Sequence, residues 1–281
     1  MQRADGDILI VHLLDGTYEL FRHFYGLRRF TKTDRPFGAV VGVLNGVLEM
    51  IEEGASHIGV ATDHVIESFR NEIWSDYKTG EGIEPALGAQ FHPLEDALQA
   101  MGVVVWPMIE LEADDALASA AAIASQNRRV EKVCIWTPDK DLAQCVRGSR
   151  VVQVDRKSKV IRDAAAVHEK FGVTPELIPD YLALVGDSAD GYPGIAGIGP
   201  KGAASLITRY GSIEEFPEEI LGERRTLALK FKTLATLRID APLFTRVEEL
   251  RWRGPTERLI DWTGRLGEPL IARAKTAAAA L

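Results

Sequence analysis

The 281-residue chain has only two cysteines, Cys134 and Cys145. Their spacing fits no metal-binding pattern, and two thiols make no disulfide framework, so a reducing, cytoplasmic setting is expected. No apolar run approaches the ~20 residues of a membrane-spanning helix, and no membrane partner is expected. "ILIVHLL" is short and follows Asp5 and Asp7, which makes it a poor signal peptide. No GxxxxGKS/T string appears, which argues against nucleotide hydrolysis on a P-loop. Histidine and cysteine form no cluster. Basic charge is also in deficit: 33 Lys and Arg stand against 41 Asp and Glu, a net of −8. That balance first argues against a nucleic-acid partner. Its distribution softens the argument, because residues 200–281 carry 14 bases against 11 acids. An acidic body can bind nucleic acid when its acids sit on cations and its bases line a track.

With 46% hydrophobic and 26% charged residues, the composition is that of a globular protein with a sizeable core. Residues 7–14 read as a buried strand ending at Asp15-Gly16, and "RPFGAVVGVLNGVLEMIEEG" as a helix with a glycine stop. "HIGVAT" is a second strand, ending at Asp63. "HPLEDALQAMG" is helical, "VVVWP" a strand, and "ELEADDALASAAAIASQ" a helix with acids at its start. "KVCIWT" and "VVQVD" are strands, and "DAAAVHEKFG" a helix. Such alternation predicts an α/β fold: a mostly parallel sheet with helices on both faces. Near residue 174 the alternation gives way to helices. A division into an α/β core over 1–173 and a helical region over 174–281 is expected. The terminal "AKTAAAAL" reads as a frayed helix end.

Ligands of parallel sheets bind beyond the carboxyl ends of the strands. Asp15, Asp63 and Asp139 each follow a strand end. "LEADDALAS" adds Glu112, Asp114 and Asp115; "TPDKDLAQ" adds Asp141; "GDSADG" adds Asp187 and Asp190. Singly, each has an ordinary explanation as a turn, an N-cap or a partner of the helix dipole. Together, nine acids at one edge of a sheet repel one another unless cations lie among them. All-oxygen sites suit Mg²⁺ or Mn²⁺, and paired metals are common where phosphodiesters are cut. A second signal is "GIAGIGPKGA", residues 194–203. Glycine turns around Ile198 ahead of a helix expose amides that hold a phosphate without reading a base. Lys201 adds charge.

Four strings, "LLDGTYELFR", "FRNEIWSDYK", "EADDALAS" with "TPDKDLAQ", and "YLALVGDSADGYPGIAGIGPKGAASLI", resemble the 5′-nuclease family in the family's order over nearly the whole length. That family comprises bacterial flap endonucleases and the N-terminal nuclease domain of bacterial repair polymerases. The resemblance implies a PIN-like nuclease core, a helical arch at about 70–96 and a helix–hairpin–helix element. It implies two or three Mg²⁺ or Mn²⁺ ions on Asp15, Asp63, Glu112, Asp114, Asp115, Asp139, Asp141, Asp187 and Asp190. By the same resemblance Arg22, Arg70 and Lys78 contact the reacting phosphate or the frayed end, and Tyr77 stacks on an unpaired base. Gly197, Ile198, Gly199, Lys201 and Gly202 grip DNA, and carbonyls around Ile198 hold K⁺. Asp115 and Asp139 are central to catalysis.

Some positions depart from the family pattern. Pro138 replaces the glycine of a usual "TGDKD" string, and "SSDNIPG" becomes "SADGYPG" with Gly191 and Tyr192. Glu81 stands where relatives place an arginine, inside "TGEGIEPALG". Its glycines and Pro85 predict a mobile segment over 79–90. No polymerase-like sequence follows, so a stand-alone, monomeric nuclease acting on DNA flaps, gaps and 5′ ends in replication and repair is expected. A PIN-type ribonuclease and a catalytically weak DNA-junction binding protein are the alternatives. The former lacks "GIGPKGA"; the latter rests on the acidic arch alone.

Overall fold

The computed structural model describes residues 8–28 and 36–280. Asp7 and Arg35, which the expected first strand and second helix include, lie outside them. β1 (Leu9–Asp15) lies central in a six-stranded sheet, with β2 (His57–Asp63) and β3 (Val104–Met108) to one side. β4 (Val130–Trp136), β5 (Val151–Asp155) and β6 (Val160–Arg162) lie to the other. Strands β1 to β5 are parallel, and β6 pairs antiparallel with β5. The sequence reading missed β6, a three-residue edge strand with too few residues to show a period.

Both sheet faces are covered, which is why β1 is a continuous apolar run. Leu14 faces α1 (Gly16–Arg28), α2 (Gly38–Glu52) and α5 (Phe91–Ala100). Val11 and Leu13 face α6 (Ala113–Gln126) on the other side. Gly16 lets α1 start against β2: a Cβ there would meet Val60 Cγ1 at 2.7 Å and the Ala61 carbonyl at 2.9 Å. The chain therefore turns into α1 immediately after Asp15.

Between β2 and α5 lie only two short helices, α3 (Phe69–Ile73) and α4 (Pro85–Gly88). No long arch helix forms within 70–96. The expected mobile segment is instead anchored at three points. Leu87 is buried in the core, Glu84 pairs with Arg28, and the Gln90 side chain accepts from the Ala39 and Val40 amides at the start of α2. Glycine and proline limit helix length here without preventing packing.

After α7 (Ala164–Phe171), α8 (Ile178–Val185), α9 (Pro200–Tyr210), α10 (Glu218–Leu221) and α11 (Arg225–Ala235) build a second core around Tyr192 and Phe231. The chain then returns to the sheet. Trp252 is 2% exposed, donates to the Met101 carbonyl at 2.8 Å, and shares the α2 core with Trp262. α12 (Thr263–Leu266) and α13 (Glu268–Ala279) complete that layer. The terminal alanines are thus no frayed end: Ile271 and Ala274 are buried against α2, and Arg273 reaches Asn45 and Glu52. Small side chains let α13 approach α2 closely. Among the described residues, no helix is long and apolar enough to cross a membrane.

Candidate active site

Four acids meet beyond the carboxyl ends of the central strands. Asp15 and Asp63 end β1 and β2, Asp114 lies in the first turn of α6, and Asp139 follows β4. The Tyr18 amide and the Thr137 hydroxyl orient Asp15, at 2.8 and 3.0 Å. The Ala113 amide donates to Asp63 at 2.8 Å and ties β2 to the start of α6. Burial pushes the Asp15 carboxyl up to about 7; the Tyr18 amide opposes this, and the charges of Asp63 and Asp139 add to it. Asp114 is raised well above its ordinary value, first by burial, then by Asp139 and Asp15. Asp63 is raised by burial against the pull of Lys78. Carboxyls in this state are short of positive charge.

A second group lies beside the first. Asp141, Asp187 and Asp190 each bring one oxygen to within 4.8 Å of the others. The Asp141 amide donates to Asp139 at 3.1 Å, so the "DKD" turn joins the two groups. Asp141 is raised by burial and then by Asp139, Asp190 and Asp187, while burial pushes Asp190 up to about 6. Asp141 Oδ1 is buried without a partner. Every donor atom here is an oxygen, and the orphaned Oδ1 adds an unsatisfied lone pair. Both features fit a hard divalent cation.

Asp187 and Asp190 are aimed by a clamped turn. Asp187 and Tyr192 exchange backbone hydrogen bonds of 2.8 and 3.0 Å. Gly191 has φ +85°, and a Cβ there would lie 2.0 Å from the Asp76 carbonyl. Only glycine lets this turn press on the Asp76–Lys78 segment.

Lys78 bridges the two groups. Its ammonium lies 2.7 Å from Glu112 Oε2 and 3.1 Å from Asp190 Oδ1, with the side chain 29% exposed. Burial alone would lower its pKa, but Glu112 and Asp190 hold it well above the ordinary value. Lys140, which sequence reasoning did not single out, sits 2.8 Å from Asp187 Oδ2. Glu112 is engaged by Ser68, Arg70, Tyr77 and Lys78. Burial would raise its carboxyl; Lys78 and Arg70 overcome this and hold it below the ordinary value.

Three expected site residues are turned inward. Asp115 is fully buried and already accepts four hydrogen bonds: two from Arg70, one each from the Glu112 and Arg238 amides. No lone pair is left for a metal, so Asp115 is a structural anchor. Arg70 is 1% exposed, held bidentately by Asp115 and bonded to the Leu234 and Thr236 carbonyls. It cannot meet a phosphate. Tyr77 is 3% exposed and donates to Glu112 at 3.3 Å, so it offers no face to a base. A sequence gives residue type and spacing, but not which of two adjacent carboxylates faces inward. Arg22 pairs with Glu19 and lines a groove of about 910 Å³ with Trp136, Asp155, Arg156 and Arg273. Among the described residues no ion pair joins it to the nine acids.

The glycine hairpin connects α8 to α9. Gly197, Gly199, Lys201 and Gly202 are exposed and Ile198 is half-buried. No side chain caps the start of α9, which leaves amides at its N-terminus open to an anion. Arg224 donates to the Ala196 carbonyl at 2.9 Å and braces the loop from α11's side.

Two family descriptions match in tandem: "5′-3′ exonuclease, N-terminal resolvase-like domain" over residues 10–172 and "5′-3′ exonuclease, C-terminal SAM fold" over 173–258. The chain belongs to the 5′-3′ exonuclease family. It is 34% identical to the 5′-3′ exonuclease of Aquifex aeolicus over 262 residues, 87% of each chain. It is 35% identical over 259 residues to DNA polymerase I of Pseudomonas aeruginosa, covering 85% of this chain but only 28% of that one. Among solved structures, T5 5′-exonuclease with bound zinc aligns at TM-score 0.65 and 20% identity, over 96% of this chain and 98% of that one. The catalytic core of Rad2 in complex with DNA substrate aligns at TM-score 0.59 and 13% identity, over 98% and 93%. These structural likenesses bear out the mostly parallel α/β core with a helical C-terminal region.

Proposed function

We propose that this exonuclease-family chain is a structure-specific 5′ nuclease. It hydrolyses DNA phosphodiesters at 5′ flaps, gaps and 5′ ends during replication and repair. The observation that carries this reading is the pair of acid groups joined through Asp139 and Asp141 at the carboxyl edge of the sheet. Asp15, Asp63, Asp114 and Asp139 are the residues to hold one divalent cation, and Asp141, Asp187 and Asp190 another. Mg²⁺ and Mn²⁺ suit both sets. Bound there, such ions supply an ionised water for attack and screen the charge of the reacting phosphate.

The chain's own groups do the positioning. Lys78 stands between the two acid groups, protonated, and donates to a non-bridging oxygen of the phosphate. Thr137 and the Tyr18 amide keep Asp15 oriented while charge changes around it. Arg70 and Asp115 act at one remove, by fixing Glu112, and Glu112 fixes Lys78. At the hairpin, the amides near Gly199 and the Lys201 ammonium grip the duplex backbone. These contacts touch phosphate alone, so binding follows structure and not base sequence. Carbonyls around Ile198 suit a monovalent cation such as K⁺. The protein acts as a monomer, and the two halves divide near residue 173 by role: chemistry before it, duplex grip after it.

The test is cleavage of a 5′-labelled flap duplex with Mn²⁺, beside EDTA and Asp139→Asn. Cleavage near the single-strand junction that both controls abolish is expected. Turnover by Asp139→Asn near the wild-type rate would remove the metal assignment. Cleavage of RNA alone would favour the ribonuclease alternative.

A further inference from the structure

Beside the Asp141–Asp187–Asp190 group stands a tyrosine that the nuclease reading does not use. Tyr192 is 1% exposed, and its ring lies against Phe231 at 5.5 Å between centroids. The backbone bonds it exchanges with Asp187 fix its Cα beside that residue's. Trp74 Nε1 donates to the neighbouring Gly191 carbonyl at 3.1 Å and adds a third restraint. The ring therefore has one position. Yet its hydroxyl is buried without a hydrogen-bond partner.

Among the described residues only three buried side-chain polar atoms are unpartnered, and the other one in this cluster is Asp141 Oδ1. A buried unpaired hydroxyl costs about 1–3 kcal/mol, so two orphans in one cluster are not explained by chance packing. They are complementary. Burial raises the phenol's pKa, and Asp141 is the strongest of the charges that raise it further, so the phenol stays a donor. The carboxylate oxygen can only accept. An isoleucine, as in the "SSDNIPG" type of string, leaves no such donor.

Resting on the metal-centre reading above, we propose that Tyr192 is a positioning residue for this cluster. Its hydroxyl donates to the Asp141 carboxylate, directly or through one water, and thereby aims that carboxylate at a divalent cation. Without a cation, Asp141 faces Asp139, Asp187 and Asp190 and has no reason to remain ionised and aligned. With one, the phenol donor holds the anion in a single rotamer. Partners of metal ligands commonly change affinity by 10–100-fold when removed.

The experiment is Mn²⁺ titration of wild type, Tyr192→Phe and Asp187→Asn, read by the electron spin resonance signal of free Mn²⁺. Melting of each protein in EDTA accompanies it. Phenylalanine keeps the contact with Phe231 and removes only the hydroxyl. We expect Mn²⁺ at the weaker class of sites to bind roughly tenfold less tightly in Tyr192→Phe. Metal-free melting should be unchanged or higher, because an unsatisfied hydroxyl has gone. The Mn²⁺ concentration for half-maximal flap cleavage should rise by the same factor, with kcat at saturating Mn²⁺ retained. Affinity within twofold of wild type overturns the inference. So does lower melting in EDTA, which would make the hydroxyl a structural bond. No Mn²⁺ binding by wild type sinks the metal centre itself, whereas normal binding by wild type and Tyr192→Phe, with loss in Asp187→Asn, sinks only the role of Tyr192.

Discussion

Asp114 and Asp115 are neighbours in sequence, and replacing each with asparagine should have opposite effects on the metal-free protein. Asp115 Oδ1 accepts from Arg70 Nη2 at 2.8 Å and the Arg238 amide at 2.9 Å. Its Oδ2 accepts from Arg70 Nη1 at 2.8 Å and the Glu112 amide at 3.0 Å. Asparagine keeps one acceptor oxygen and turns an NH₂ group toward two of those donors. It also leaves a guanidinium that is 1% exposed without its bidentate partner. Breaking one side of a buried pair costs about 3–5 kcal/mol. Glu112 remains 3.1 Å from Arg70, so a cost near the low end, about 3 kcal/mol, is expected. At roughly 2–4 °C per kcal/mol, melting in EDTA should fall by about 6–12 °C. Asp114→Asn instead removes one of several mutually repelling carboxyls and should melt at or above wild type. Circular-dichroism melts of both variants in EDTA decide the matter. If Asp115→Asn melts like Asp114→Asn and loses only Mn²⁺ affinity, Asp115 is a metal ligand and the inward-facing account is wrong.

Three further outcomes follow from the same geometry. Gly199→Val should weaken duplex binding severalfold while melting is unchanged, since a Cβ there meets no atom of the free protein within 4 Å; gel-shift titration that shows equal losses on short single strands would point to misfolding. Asp15, with its carboxyl raised to about 7, contributes stability that is fully present below the ordinary carboxylate range and is lost as pH rises through about 7. In EDTA, therefore, Asp15→Asn should gain on wild type between pH 4 and 8, and Mg²⁺ should erase that gain; a pH-independent difference in melting refutes the burial account. Glu81 is exposed three residues beyond Lys78, so Glu81→Arg should raise initial rates on flaps more than on recessed ends, with the gain shrinking in salt; an unchanged ratio at low salt means the single strand does not pass this segment.

The sheet was legible because burial on both faces leaves continuous apolar runs, and a parallel strand needs a helix to return. Strand-end acids were legible for a related reason: a ligand edge exists wherever such strands stop. What spacing could not give was direction. "EADD" places Asp114 and Asp115 about 100° apart around α6, so one meets the acid groups and the other meets Arg70. Nothing in four letters says which. Arg70 and Tyr77 were misjudged on the same ground, since a basic or aromatic residue near a site serves equally as a support beneath it. β6 was too short to read. α13 lay in an alanine run whose partner, α2, is more than 200 residues away.

Arg70 draws the acidic edge and the helical half together. It bonds Asp115 and Glu112 on the start of α6, and also the carbonyls of Leu234 and Thr236 at the end of α11. Gln144 repeats the pattern from the loop after β4, donating to the Ala235 carbonyl and accepting from the Leu237 amide. The segment 234–238 is therefore pinned from both sides by residues adjoining the acids. α11 in turn packs on α8, which leads directly into the Asp187–Tyr192 turn. A shift of the duplex-gripping half must then move Asp187 and Asp190 relative to Asp139, or break a buried arginine's bonds. Rigid coupling of this kind makes the spacing of the two acid groups depend on the helical half, although only two acids of that half belong to them.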